Sequence, residues 1–292
     1  MEKPLVLGID IGGSHITAAL VDLETRKIIP ESYRRRSVDA REEANVLLDS
    51  WCHVINDAFK CSNTMEKKLG IAMPGPFDYV NGICLIKEQD KFQSLYEVNV
   101  KTELAERLNI LPSNIEFIND AAGFLQGEVF AGAARNFGRV LGITLGTGLG
   151  SAMYFNGTAS DAALWDSDFL DGIAEDYLST RWFLKRYEEL SGKFLDGVKD
   201  LLALVNEDPK SALVFREFGH NLGRFMSPLI KQHQLELVII GGNISLAFNA
   251  FSPALESVLK AEQITAAIKI TTLQENAALI GAASYLDHQV KF

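Results

Sequence analysis

Two segments of this chain read as a strand that runs into a glycine turn and re-emerges as a second strand, and this repeated pattern constrains the fold more than any other feature. The first comprises residues 4–9, the turn Asp10-Ile11-Gly12-Gly13-Ser14 and a strand over 16–22. The second comprises 139–145, the turn Thr144-Leu145-Gly146-Thr147-Gly148-Leu149-Gly150 and a strand over 151–155. Two strands joined by a short glycine turn make a hairpin. Helices and further strands follow in each half, so the chain reads as a duplicated α/β architecture. Two such turns, facing each other across a cleft, could hold a triphosphate from both sides.

The remaining elements follow from periodicity. A third strand is expected over 27–33, and a helix carries its apolar face through Ala44, Leu47, Leu48, Trp51, Val54 and Ile55, a spacing near 3.6. A strand over 68–73 runs into Pro74-Gly75-Pro76, where fixed φ angles and lost donors stop regular structure. Helix is expected over 103–108, a buried strand over 115–118, and a small-residue helix over 121–134, just after Asn119-Asp120. Residues 172–231 read as mostly helical. A strand over 235–240 ends in Gly241-Gly242-Asn243, and a helix over 250–260 precedes a strand over 267–272. The helix over 275–286 carries Ala277, Ala278, Gly281, Ala282 and Ala283, small enough for close packing on a sheet.

Charge and cysteine content exclude several classes of function. The net charge of −10, from 38 acidic against 28 basic residues, argues against broad attraction to nucleic acid or an anionic membrane. The densest basic cluster, Arg34-Arg35-Arg36, reads as a solvated strand edge and is assigned no function. Cys52, Cys61 and Cys84 form no CxxC pair, which fits a reducing compartment. The early first strand leaves no room for a signal peptide, and no apolar run approaches membrane-spanning length. A cytoplasmic protein is expected.

Within the first turn, the missing side chains of Gly12 and Gly13 let backbone N–H groups and Ser14 approach phosphate oxygens, while Asp10 could hold Mg²⁺ through water. A plain Gly-Gly hairpin has the same composition. In the second turn, Thr144, Gly146, Thr147 and Gly148 suit a loop wrapped around phosphate. No Lys follows these glycines and the turn leads into a strand, so neither a Walker loop nor a dinucleotide fingerprint fits. Gly241, Gly242 and Asn243 could let adenine or ribose lie against backbone, or could form an ordinary strand-to-helix turn with Asn243 as cap. Asp120 is open to two readings, an N-cap carboxylate or a general base for an attacking hydroxyl.

In order, these motifs resemble the ROK family (repressors, uncharacterised reading frames and sugar kinases) of the actin, hexokinase and Hsp70 superfamily, essentially end to end. The residues that carry the resemblance are 8–14, Pro74-Gly75-Pro76, Asn119-Asp120-Ala121, Gly127-Glu128, 146–150, Gly241-Gly242 and 279–283. It implies two actin-like (ribonuclease H-like) α/β domains, each a mixed sheet flanked by helices, with a cleft between them. Domains are expected at 1–118 and 119–274, with a C-terminal helix at about 275–292 packing back on the first. The implied activity is ATP-dependent phosphorylation of a hexose or N-acetylhexosamine, glucokinase-like. Asp120 would be the catalytic base, Asn119 and Gly75 would lie on the sugar side, the two turns would bind phosphates, and the Gly-Gly turn would sit by adenosine. A homodimer and Mg²⁺ are implied partners of the reaction.

The chain departs from the family in one segment. The Glu-x-Gly-His and cysteine-rich zinc motifs that many members carry after the second turn have no counterpart between Asn156 and Ser179, where there is no Cys and no His. No structural zinc is expected. Residues 172–179 resemble the tail of the zinc motif, with its sugar-contacting acid at Glu175. Asp166 and Asp168 read as solvated loop acids. A DNA-binding regulator would carry a helix-turn-helix ahead of the first strand, which leaves a catalytically weak sugar or nucleotide sensor as the alternative to the kinase.

Overall fold

The computed structural model describes residues 5–62, 66–87 and 91–288; Pro4, placed in the first strand above, and residues 289–292 lie outside them. The first half runs β1 (Leu5–Ile11), β2 (His15–Asp22), β3 (Lys27–Ile28), β4 (Arg34–Ser37), α1 (Ala44–Phe59), β5 (Leu69–Met73), β6 (Phe77–Asp78), β7 (Ile83–Cys84), α2 (Val100–Leu108), β8 (Ile115–Asn119) and α3 (Asp120–Phe130). The second runs β9 (Val140–Leu145), β10 (Leu149–Phe155), β11 (Thr158–Asp161), β12 (Asp168–Phe169), β13 (Gly172–Ile173), α4 (Ala174–Tyr177), α5 (Thr180–Ser191), α6 (Val198–Ala203), α7 (Pro209–His233), β14 (Leu237–Gly241), α8 (Phe248–Ala261) and β15 (Ala267–Ile270). The chain closes with α9 (Asn276–His288).

The duplication read from the turns is explicit in the sheets. One sheet has the order β3-β2-β1-β5-β8, with β4 also on β2, and the other has β11-β10-β9-β14-β15. In both, the strand before the glycine turn pairs antiparallel with the strand after it and parallel with its other neighbour. The expected strand over 27–33 is broken. Pro30 starts a short 3-10 turn, because proline lacks the N–H a ladder needs, and pairing with β2 resumes only at β4.

Contacts divide the chain into a unit of residues 1–135 with 275–292 and a unit of 136–274. The division lies beyond the 118/119 boundary expected above, for a physical reason. β8 is hydrogen-bonded to β5, and α3 follows it without a break to pack on α9. That packing brings backbones into contact: a Cβ on Gly127 would meet the Ala277 carbonyl oxygen at 2.0 Å, and one on Gly8 would meet the Leu279 oxygen at 2.1 Å.

Each unit has its own core. In the first, α1 turns Leu47, Leu48, Trp51, Val54 and Ile55 inward against β1 and β2. The apolar spacing therefore does what it suggests, and each such side chain contributes about 1.5–3 kcal/mol by leaving water. In the second, α7 places Phe215, Phe218, Leu222 and Phe225 on one face, with Phe183 of α5 and Phe251 of α8 against Phe218 at centroid distances of 4.5 and 5.2 Å. Among the described residues no helix is long and apolar enough to cross a membrane.

Candidate active site

In the first unit the expected residues converge because β1, β5 and β8 are parallel. Asp10 pairs with Ala72, and Met73 with Asn119, so Asp10, Gly75, Asn119 and Asp120 all come to the carboxyl edge of the sheet, where open α/β sheets bind ligands. The turn between β1 and β2 is closed by the Gly12 N–H donating to the His15 carbonyl at 2.9 Å. A Cβ at Gly12 would find only the His15 oxygen at 3.7 Å, and one at Gly13 only Lys91 side-chain carbons at 3.7 Å or more. Neither glycine has a positive φ. Packing and backbone strain therefore do not require glycine here; what its absence of side chain provides is open space above the backbone.

Asp10 ends up in an acidic setting. Burial, and then the charge of Asp120, pushes its carboxyl up to about 7, with Arg35 pulling it back and Glu275 adding to the rise. Arg35 Nη1 donates to Glu275 Oε2 at 2.5 Å, Arg35 Nη2 touches His15 Nε2, and Ser14 Oγ lies 2.5 Å from His15 Nδ1. The basic cluster assigned no function thus contributes Arg35 to the first turn. On β4 its side chain alternates toward this edge, opposite Thr17. The period-2 pattern could have flagged it, but nothing local could have paired it with Glu275.

Asn119 and Asp120 divide the two readings of the pair between them. Asn119 is the N-cap of α3, its Oδ1 accepting from the N–H groups of Ala121 and Ala122 at 2.9 and 3.1 Å. Asp120 occupies the first helical position, exposed, where its Oδ1 shares the Ala121 N–H at 2.9 Å with the Asn119 cap, while the Ala122 N–H goes to Asn119. Asn119 Nδ2 donates to the Tyr79 hydroxyl at 3.3 Å, and that hydroxyl donates to the Met73 carbonyl at 3.0 Å. The same hydroxyl would lie 3.3 Å from a Cβ on Gly75, which forms a cis peptide with Pro76. Tyr79, missed from the sequence, ties Gly75 and Asn119 together.

In the second unit the β9–β10 turn is closed by the Gly146 N–H donating to the Gly148 oxygen at 3.0 Å, and the Thr180 N–H at the start of α5 donates to the Gly146 oxygen at 2.8 Å. Gly146 has nothing within 4 Å of a notional Cβ, again open space. Gly148 is different: its Cβ would meet Glu175 Oε2 at 2.5 Å. Glu175 Oε2 accepts the Leu149 N–H at 3.0 Å, and Oε1 is held by Arg181 at 2.6 Å. Gly241 pairs with Thr144. Gly242, at φ +78, lies so close that its Cβ would meet the Leu145 oxygen at 2.3 Å. The two glycine elements of this unit therefore adjoin each other, while Asn243 is exposed and begins a short 3-10 helix with Gly242 in the cap position.

Gly148→Ala is expected to push Glu175 off the Leu149 N–H, a charge-assisted bond worth about 1.5–3 kcal/mol, and to lower kcat/KM roughly 10- to 100-fold. Steady-state kinetics check this, and an unchanged kcat/KM counts against Glu175 acting from its present position.

The segment after the second turn forms β11, the β12–β13 hairpin and α4. Among the described residues no group of three His, Cys, Asp or Glu side chains is placed to hold a metal ion. Asp166 and Asp168 are exposed and join neither unit's glycine elements.

The ROK family model matches residues 6–161. A glucokinase of Thermotoga maritima is 25% identical over 99% of this chain and 99% of its own length. An N-acetyl-D-glucosamine kinase of Pectobacterium carotovorum is 25% identical over 82% of this chain and 83% of its own. Among solved structures, a ROK family glucokinase from Streptomyces griseus, in complex with glucose and AMPPNP, superposes with a TM-score of 0.75 at 22% identity, over 97% of this chain and 99% of that one. The fold is thus that of the ROK kinases, the actin-like ATPase architecture.

Proposed function

This chain belongs to the ROK family, and on that footing we propose that it is an ATP-dependent kinase for a hexose or N-acetylhexosamine, with Asp120 as general base. The observation that carries the reading is the open space over Gly12, Gly13 and Gly146. Three glycines that neither φ nor packing demands are what backbone cradles for phosphate oxygens require. The related enzymes named above act on glucose or on N-acetyl-D-glucosamine, which supports the acceptor class.

In this reading the first unit supplies Gly12, Gly13 and Ser14 to phosphate and Asp120 to the acceptor hydroxyl, with Asn119 and Gly75 lining the sugar. The second supplies Thr144, Gly146, Thr147 and Gly148 to phosphate, Gly241, Gly242 and Asn243 to adenosine, and Glu175 to the sugar. Asp10 fits a Mg²⁺ held through water, because its desolvated carboxylate lies near the charges of Asp120 and Glu275 with only Arg35 opposing them. Such an ion would neutralise phosphate charge. A homodimer in the cytoplasm belongs to the same proposal, supported by the family resemblance and by free thiols at Cys52, Cys61 and Cys84.

ADP release with ATP and Mg²⁺ across hexoses and N-acetylhexosamines tests the reading, with a no-sugar control. Turnover with one sugar supports it, and silence across the panel overturns it in favour of a binding-only sensor. One observation favours that second reading: both Glu175 oxygens are already engaged, so a sugar hydroxyl must compete with Arg181. Gly146→Ala separates binding from folding. Its Cβ meets nothing, so the melting temperature is expected to stay unchanged while ATP affinity falls about tenfold or more; unchanged affinity in titration calorimetry would remove the second turn from the nucleotide site.

Asp10→Asn is expected to abolish turnover yet stabilise the metal-free protein by on the order of 2 kcal/mol at pH 8. Above a pKa of about 7 the wild-type carboxylate is charged, and its desolvated charge weighs against the folded state. Thermal melts with and without Mg²⁺ check this. A lower melting point in the variant would show that Asp10 has a stabilising partner instead.

A further inference from the structure

We propose that the second unit carries a separate site for a small anion bearing a phosphate group, of sugar-phosphate size, in the groove between α5 and α7. The groove encloses about 880 Å³ and is lined by residues of the β12–β13 hairpin, α4, α5 and α7. That volume is in the range that encloses a small organic ligand. None of the glycine-turn residues, nor Glu175, lines it.

The charges in its wall are unevenly committed. Glu189 and Glu217 both hold Arg186, while Asp171 and Asp176 are held by neutral donors, the Tyr177 hydroxyl and the Ile173 N–H at 3.2 Å. Lys185 on α5 and Arg224 on α7 line the same groove from opposite helices, and neither meets a carboxylate among the described residues. A third donor belongs to the same wall. Ser179 lines the groove, is fully buried, and its hydroxyl has no hydrogen-bond partner.

An unsatisfied buried hydroxyl is unusual in a native fold and calls for a partner. Ser179 stands in the N-cap position of α5 without capping it, so it is held where the positive end of the helix dipole already favours an anion. A hydroxyl, an ammonium and a guanidinium without acceptors form a donor set that matches phosphate oxygens. The half-buried Trp182 beside them gives a carbon skeleton something to rest on.

Titration calorimetry on the full chain tests this with three probes, glucose 6-phosphate, inorganic phosphate and citrate, each with saturating AMPPNP present. Glucose 6-phosphate is expected to bind without displacing AMPPNP. Lys185→Glu with Arg224→Glu is expected to weaken it about tenfold or more, and Ser179→Ala by a smaller factor, while Lys199→Glu, outside the groove, changes nothing. Binding of inorganic phosphate as tight as that of glucose 6-phosphate would assign the site to free phosphate and overturn the sugar-phosphate assignment, as would a preference for citrate. No binding of any probe overturns the site, as do displacement of AMPPNP or indifference to the charge reversals. Both cations are exposed, so the variants are expected to melt with wild type; should the double reversal not fold, Lys185→Ala and Arg224→Gln carry the same comparison singly.

Discussion

Asp120→Asn is expected to lower sugar-dependent ADP release by roughly 10²- to 10⁴-fold, the range that removal of a general base produces, while ATP affinity stays within about twofold of wild type. Labour is divided at the start of α3. Asn119 satisfies the helix N-terminus through Ala121 and Ala122, and Asp120 Oδ1 only shares the Ala121 N–H, an acceptor that an amide oxygen keeps, so the substitution should not unravel the helix. Removing the carboxylate also relieves Asp10, whose carboxyl the Asp120 charge pushes upward. The variant should therefore melt no lower than wild type, and a loss of turnover will not be a loss of fold. Retained turnover with an identified sugar would show that another group takes the proton. Retained turnover combined with lowered stability would return Asp120 to a purely structural role.

Gly281→Ala should be among the most destabilising single-methyl changes available in the chain. The added Cβ would stand 1.8 Å from the Gly123 carbonyl oxygen and 2.7 Å from the Gly127 nitrogen. These are backbone atoms of α3 and cannot swing aside as a side-chain end could. Alanine favours helix over glycine by about 1 kcal/mol, so propensity alone predicts a gain. The clash should outweigh it, with a net loss of roughly 3 kcal/mol and a fall of about 6–12 °C in melting temperature for a unit of this size. Thermal unfolding decides the sign, since a rise would mean that α9 does not seat on α3 as described. The consequence extends to chemistry because α3 begins at Asp120 and α9 follows Glu275 of the Arg35 pair, so the variant should lose activity in step with stability.

Much of the proposed site could be nominated from the sequence because its requirements are local. A turn that leaves backbone open to phosphate must be built from glycine, and an acid at the end of a buried strand is marked by the strand itself. Asp10, Gly12, Gly13, Gly146 and Asp120 could accordingly be named with no knowledge of the fold. The helices of α1 and α7 were legible in the same way, since burial of one face imposes a period on the chain. The strand expected over 27–33 is interrupted because Pro30 cannot donate to a ladder and starts a 3-10 turn.

What the sequence by itself determined is therefore the pair of hairpin turns, the order of elements and the family to which their motifs belong. Tertiary structure decided the rest, and each case depends on residues far apart along the chain. Arg35 meets Glu275 across 240 positions, Tyr79 orders Asn119 across 40, and Glu175 reaches Leu149 across 26. The boundary between units falls after α3 because β8 pairs with β5 and the glycines of α3 admit α9. A glycine or an acid declares what its own backbone can do, but which partner a side chain meets depends on the sheet order and on how closely two helices approach, and these are set only when the whole core is packed.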